Sequence, residues 1–290
     1  MEKADSVEAR RCEYTSKADL MDRLRRKAKD VRRNVLLMAR NKGDGYVGQG
    51  LGAADIITAL FFHEMRFDPT QLDWPDRDRF LLSTGHYSIV LFAALVELGV
   101  FPREELASYG ADDSRLEMSA CETTPGVEIT GGSLGHGLPQ AVGMALGSRL
   151  SGRNFRVFNF LSDGELQEGA TWEAAMSAAH YRLGSLVALV DINNIQADGS
   201  VSDVMTVEPV KDKWKAFGWH VQEVNGNMMR ELIEALETSR AVSDQPKAIV
   251  CHTLMGKGVP FLEARPKAHF VRVDPTEWDL ALDQLESANP

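Results

Sequence analysis

Apolar and polar positions fall in blocks along this chain, with short runs of strand length set between longer stretches of helical spacing. One apolar run at 155–161 is bounded by Asn154 and Ser162, and a second lies at 186–190. Between them, 168–183 carries Ala, Met and Trp at helical spacing, with Gly184 placed to end a helix. That unit reads strand, loop, helix, strand. Further strand-length runs lie at 79–83, 219–224 and 248–252; helical patterns lie at 18–40, 53–64, 138–150, 212–217, 228–239 and 275–285. This alternation predicts an α/β fold, a mostly parallel twisted sheet with helices on both faces. Residues 1–17 lack an apolar face and read as a flexible lead-in, which leaves 18–290 as a single domain with peripheral helices.

In a right-handed parallel crossover both strand ends open on one edge of the sheet, where ligands of open α/β sheets bind. Asp163 closes the first strand of the unit and Asn193 the second. A carboxylate, a side-chain amide oxygen and a nearby carbonyl are hard donors suited to Mg²⁺ or Ca²⁺, with ligand phosphate and water completing the shell. Gly164 lets backbone approach a phosphate closely. Strand-end Asp and Asn residues also serve simply as turn formers.

The segment Ser162-Asp163-Gly164, a helical crossover, and then Asn193-Asn194, with Asp163 and Asn193 thirty positions apart, resembles the thiamine diphosphate fingerprint of the transketolase family. Ser162 stands where that fingerprint normally has Gly. The following Glu165-Leu166-Gln167-Glu168-Gly169 resembles transketolases in particular. The resemblance implies that Asp163, Asn193 and the carbonyl of Ile195 hold Mg²⁺, with Ca²⁺ or Mn²⁺ as substitutes, and that the metal bridges the cofactor diphosphate. Gly164 and Glu165 then count among the cofactor-binding residues. Glu168 matches a carboxylate buried at the family's dimer interface, between two cofactor sites; without the resemblance it is a helix-start Glu that complements the dipole.

Other segments extend the likeness over about 18–269. Leu82-Ser83-Thr84-Gly85-His86 is similar to the family's Ser-x-Gly-His element, which implies that His86 lies beside the cofactor and handles substrate protons. Pro125-Gly126-Val127-Glu128 through Gly131-Gly132-Ser133-Leu134-Gly135-His136-Gly137 resembles the loop whose Gly132 and Leu134 positions face the aminopyrimidine, with His136 replacing Gln. Gly256-Lys257-Gly258 and His269 resemble the segment that contacts the diphosphate, which implies donor or positive groups from both Lys257 and His269. Two departures concern substrate. Tyr46 takes the place of a histidine in the glycine-rich stretch 43–52, which reads as a loop, and the place of another histidine in the polar loop 109–124 falls near Ser119. Both positions are expected substrate contacts, and the losses argue against ordinary pentose phosphates.

The net charge of −10 argues against a general nucleic-acid binder, and no apolar run approaches membrane-spanning length. The basic residues Arg23, Arg25, Arg26, Lys27, Lys29, Arg32 and Arg33 read as a solvated helix face. Three cysteines without metal-type spacing fit reduced thiols in a cytoplasmic protein. The resemblance spans only the family's diphosphate-binding domain. It therefore implies a separate C-terminal transketolase subunit carrying the pyrimidine-binding domain and its Glu, in an α₂β₂ assembly. The implied activity is transfer of a two-carbon ketol unit from a ketose donor, expected to be a sugar phosphate, to an aldose acceptor. The alternatives are another thiamine diphosphate enzyme, similar to deoxyxylulose-phosphate synthase or a dehydrogenase E1 component, and a catalytically silent regulatory chain.

Overall fold

A computed structural model describes residues 16–265, 268–272 and 274–288. Helix α1 (Lys17–Lys42) leads to a short strand β1 (Asp44–Gly45) and helix α2 (Val47–Ala59), which runs into a π-helical turn at Leu60–Glu64. Strand β2 (Arg79–Leu82), helix α3 (Ser88–Glu97) and helix α4 (Gly137–Leu150) follow. The central unit comprises β3 (Val157–Ser162), α5 (Gly169–His180) and β4 (Leu186–Ile192). The chain continues through α6 (Val201–Val204), α7 (Val210–Ala216), β5 (His220–Asn225), α8 (Met229–Ala241), β6 (Lys247–His252), α9 (Pro260–Glu263), β7 (Val271–Arg272) and α10 (Pro275–Ser287). Five strands form one sheet in the order β2-β3-β4-β6-β5, every neighbour parallel, while β1 and β7 pair antiparallel apart from it.

The alternation of side chains along buried strands builds two cores. Phe158 and Phe160 of β3, Val187 and Leu189 of β4, and Ile249 and Cys251 of β6 pack with α1, α2, α3 and α8. Their neighbours Val157, Leu161, Ala188, Val190, Ala248 and Val250 pack with α4, α5 and α7 on the other face. The expected parallel sheet covered on both sides is what forms. All the strand ends that matter for the site therefore open on one edge.

Four readings are corrected. The stretch 43–52 is not a glycine loop: α2 begins at Val47, so Gly48, Gly50 and Gly52 lie inside the helix. A Cβ at Gly48 would lie 2.5 Å from the carbonyl oxygen of Ala268, and one at Gly52 3.0 Å from that of Leu254. Glycine is used here for helix-to-backbone packing rather than for turning. Gly184 does not end α5, which stops at His180 with Tyr181 as cap; Gly184 instead packs against the backbone of Ser243, leaving no room for a side chain. The basic face of α1 is not wholly solvated, because Arg32 is buried and paired with Asp55 at 2.5 Å. Finally, the lead-in ends earlier than Lys17: Ser16 accepts the N–H of Asp19 and caps α1. The rest of that lead-in, residues 1–15, lies outside the described residues.

Candidate active site

The loops after β2, β3, β4 and β6 converge at the carboxyl edge of the sheet. They wall a cavity of ≈ 290 Å³ lined by Tyr46, Gln49, His86, Tyr87, Gly132, Leu134, Asp163, Gly164, Glu168, Asn193, Ile195 and His269, among others. Asp163 is fixed by backbone donors. Its Oδ1 accepts the Gly164 N–H at 2.8 Å, and Oδ2 accepts those of Asn193 and Asn194 at 3.1 and 2.6 Å. Burial and the nearby charge of Asp191 push its carboxyl up to about 7, against the pull of those N–H groups. Asn193 accepts the Ile195 N–H on Oδ1 at 3.0 Å and donates from Nδ2 to Tyr87 and Asp191, both at 2.9 Å.

One wall is aromatic. Tyr46 lies 5.1 Å from the His86 ring and 5.6 Å from that of His269, and the two imidazoles lie 5.4 Å apart. Burial, followed by the effect of His269, lowers His86 to about 3, and burial also lowers His269. His86 is a neutral hydrogen-bonding ring at physiological pH. The opposite wall is the loop 131–137. Gly132 and Gly135 adopt positive φ of 116° and 80°, and a Cβ at Gly135 would lie 2.7 Å from that of Glu168.

Three residues expected at the site do not line the cleft. Glu165 is buried beneath the loop, where it accepts the Ser83 hydroxyl and the Gly135 N–H; burial pushes its carboxyl up to about 7. Ser119 lies outside the lining, beside Gly85 and Gly132, and donates to the Gly131 carbonyl at 3.1 Å. Lys257 is not at the cleft: it lines a separate cavity of ≈ 750 Å³ with Arg25, Lys29 and Arg32. Gly256 and Gly258, on either side of Lys257, both take positive φ, 75° and 91°. The His136 ring meets the Leu134 carbonyl at 3.2 Å through Nδ1. Sequence reasoning missed Gln49, Tyr87 and Asp191. Tyr87 follows His86 in the turn before α3 and Asp191 comes just after the apolar run 186–190, so neither stood out, and Gln49 sat in the supposed loop.

Among the described residues, no group of three or more His, Cys, Asp and Glu gathers to hold a metal. Asp163, Asn193 and Ile195 line the one cleft, and the oxygens they carry are a carboxylate, a side-chain amide oxygen and a backbone carbonyl. All are hard oxygens, and no Lys or Arg among the described residues lines the cleft to neutralise Asp163 and Glu168. This donor set fits a divalent cation that accompanies an anionic ligand.

A family profile described as "Transketolase, thiamine diphosphate binding domain" matches residues 25–282. The chain belongs to the transketolase family. Among its relatives, a transketolase family protein of Sinorhizobium fredii is 51% identical, over 90% of this chain and 94% of that one. An apulose-4-phosphate transketolase subunit of Actinobacillus succinogenes is 37% identical, over 91% and 96%. A 6-deoxy-6-sulfo-D-fructose transketolase subunit of a Clostridium species is also 37% identical, over 91% and 96%. Of the solved structures, Campylobacter jejuni transketolase superposes with a TM-score of 0.84 at 30% identity, covering 91% of this chain but 42% of that enzyme. This transketolase-family chain thus spans under half the length of the solved transketolase it matches. No helix among its described residues is long and apolar enough to cross a membrane.

Proposed function

We propose that this chain is the diphosphate-binding subunit of a split transketolase, working with a separate subunit that carries the pyrimidine-binding domain and its Glu, as an α₂β₂ assembly. The observation that carries the reading is the convergence of Asp163 and Asn193, at the ends of adjacent parallel strands, with the Tyr46–His86–His269 wall in one cleft. Relatives of similar length that are themselves named as transketolase subunits support the division between chains. Asp163, Asn193 and the Ile195 carbonyl would hold Mg²⁺; Gly164 and His269 would meet the diphosphate, and Gly132 and Leu134 the aminopyrimidine. Thiamine diphosphate, when bound, supplies a nucleophilic carbon and an electron sink for cleavage of the ketose C–C bond.

The chain's own residues then act by position. His86, neutral at working pH, orients a substrate hydroxyl and passes its proton. Tyr46 donates a hydrogen bond where its hydroxyl meets the ketose, and its ring fixes both imidazoles. Glu168 stands at the mouth, against the Gly135 turn, where the partner protein would cover it. Glu165 acts from beneath by holding the loop, and Ser119 lies at the rim. Tyrosine at 46 and serine at 119 favour a ketose outside the ordinary pentose phosphates, a reading supported by the specialised substrates in the relatives' names. The substrate class is a ketose or ketose phosphate, and the two described cysteines, both free thiols, suit a cytoplasmic setting.

The test is calorimetric titration of thiamine diphosphate with Mg²⁺, on this chain alone and with its candidate partner. Binding that is lost in Asp163→Ala, followed by ketol transfer in a ketose screen, supports the proposal. No binding under either condition overturns it.

A further inference from the structure

The two ends of an asparagine amide have nearly the same shape, so hydrogen-bond partners decide which end faces which way. For Asn193 that choice decides whether an oxygen or an NH₂ group is offered to a cation. Tyr87, Asp191 and Asn193 close a ring. The Tyr87 hydroxyl donates to Asp191 Oδ2 at 2.5 Å, and Asn193 Nδ2 donates to that same oxygen and to the Tyr87 oxygen, each at 2.9 Å. Thr253, just past β6, donates to Asp191 Oδ1 and fixes the carboxylate. Asp191 and Tyr87 are wholly buried, so water offers no alternative partners.

We propose that Asp191 and Tyr87 are positioning residues that lock the Asn193 amide with its oxygen turned to the cation site. The inference rests on the metal site proposed above. A flipped amide would set its oxygen against a carboxylate and orphan its NH₂ group, so the ring admits one orientation.

The roles separate in a titration of Mn²⁺ in the presence of thiamine diphosphate, using the full chain, with the partner protein added where the chain alone does not retain cofactor. Asp191→Asn should weaken Mn²⁺ about 10–100-fold. Tyr87→Phe, which keeps the Asp191 charge and nearly all the ring volume, should weaken it several-fold. In both, saturating metal should restore the wild-type affinity for thiamine diphosphate. Loss in Asp191→Asn with wild-type Mn²⁺ affinity in Tyr87→Phe would mean simple charge attraction, and overturn the lock. Wild-type affinity in both variants overturns it equally. If Asp191→Asn fails to fold, Tyr87→Phe decides alone. Should the wild-type protein bind no Mn²⁺ with or without partner, the metal site itself fails, and the lock with it.

Discussion

The Glu165 carboxylate and the Gly135 amide, thirty residues apart, meet at 2.9 Å, and the Ser83 hydroxyl donates to the same oxygen, Oε1. Ser83 in turn accepts the Gly137 N–H at 2.9 Å. One carboxyl oxygen at the end of β3 thereby ties down the loop that forms a wall of the cleft. Glu165→Gln keeps an oxygen in that place and exchanges an unpartnered Oε2 for an unpartnered amide nitrogen, so it should change stability little. Glu165→Ala orphans the Gly135 donor, and Ser83→Ala orphans that of Gly137; each should cost about 1–3 kcal/mol. Urea unfolding reads both. Equal midpoints for the Gln and Ala variants would refute the tether.

Gln49 is buried in the wall of the cleft, and neither its Oε1 nor its Nε2 has a partner. An unsatisfied buried amide works against the empty protein. Gln49→Leu, similar in volume, should raise the unfolding free energy by about 1–3 kcal/mol. The urea midpoint should rise with the m-value unchanged. A fall in the midpoint would show that the amide is satisfied in solution and that this account is wrong.

Much of the fold was legible because hydrophobic period and strand length agree along the chain. The runs around Phe160 and Leu189 could only be buried strands, and the thirty-residue separation of Asp163 and Asn193 fits a single crossover. Glycine misled where its role was absence of bulk. Gly48 and Gly52 sit within α2 to admit the backbone of Ala268 and Leu254, a reason invisible without the neighbours. Tyr87 and Asp191 were hidden for a related reason: a polar group beside an apolar run, one in the turn before α3 and one near the end of β4, acquires meaning only from partners on other elements. Lys257 failed differently, since a motif gives the order of residues but not which cavity a side chain lines.

Arg32 was read as part of a solvated face, yet its Nη2 lies 2.5 Å from Asp55 and its Nε donates to the Leu51 carbonyl at 3.0 Å. Asn227 supplies the remaining bond to Asp55, at 3.0 Å. Arg32→Met would leave a buried carboxylate with one amide for company, at a cost of about 3–5 kcal/mol. Adding Asp55→Leu removes the stranded charge and should recover most of that loss. A double-mutant cycle measured by chemical denaturation checks this. Additive losses would mean that the pair is not coupled.

Lys247 opens β6 with its ammonium turned inward, donating to the Gly184 carbonyl and, at 3.1 Å, to that of Val242. Burial, with the charge of Arg156 adding to it, lowers its pKa from 10.5 to about 8. The sign follows from proton counting. Between pH 8 and 10.5 the unfolded chain still holds this proton while the folded chain has released it, so the group makes stability rise with pH across that window. The slope approaches about 1.4 kcal/mol per pH unit midway. Below pH 8 both states are protonated, and the contribution is flat. Lys247→Met removes the slope, so the stability of wild type relative to the variant should climb between pH 8 and 10 and stay constant between pH 6 and 7. Urea unfolding of both proteins across that range measures it. A constant difference throughout would show that Lys247 keeps its proton in the fold.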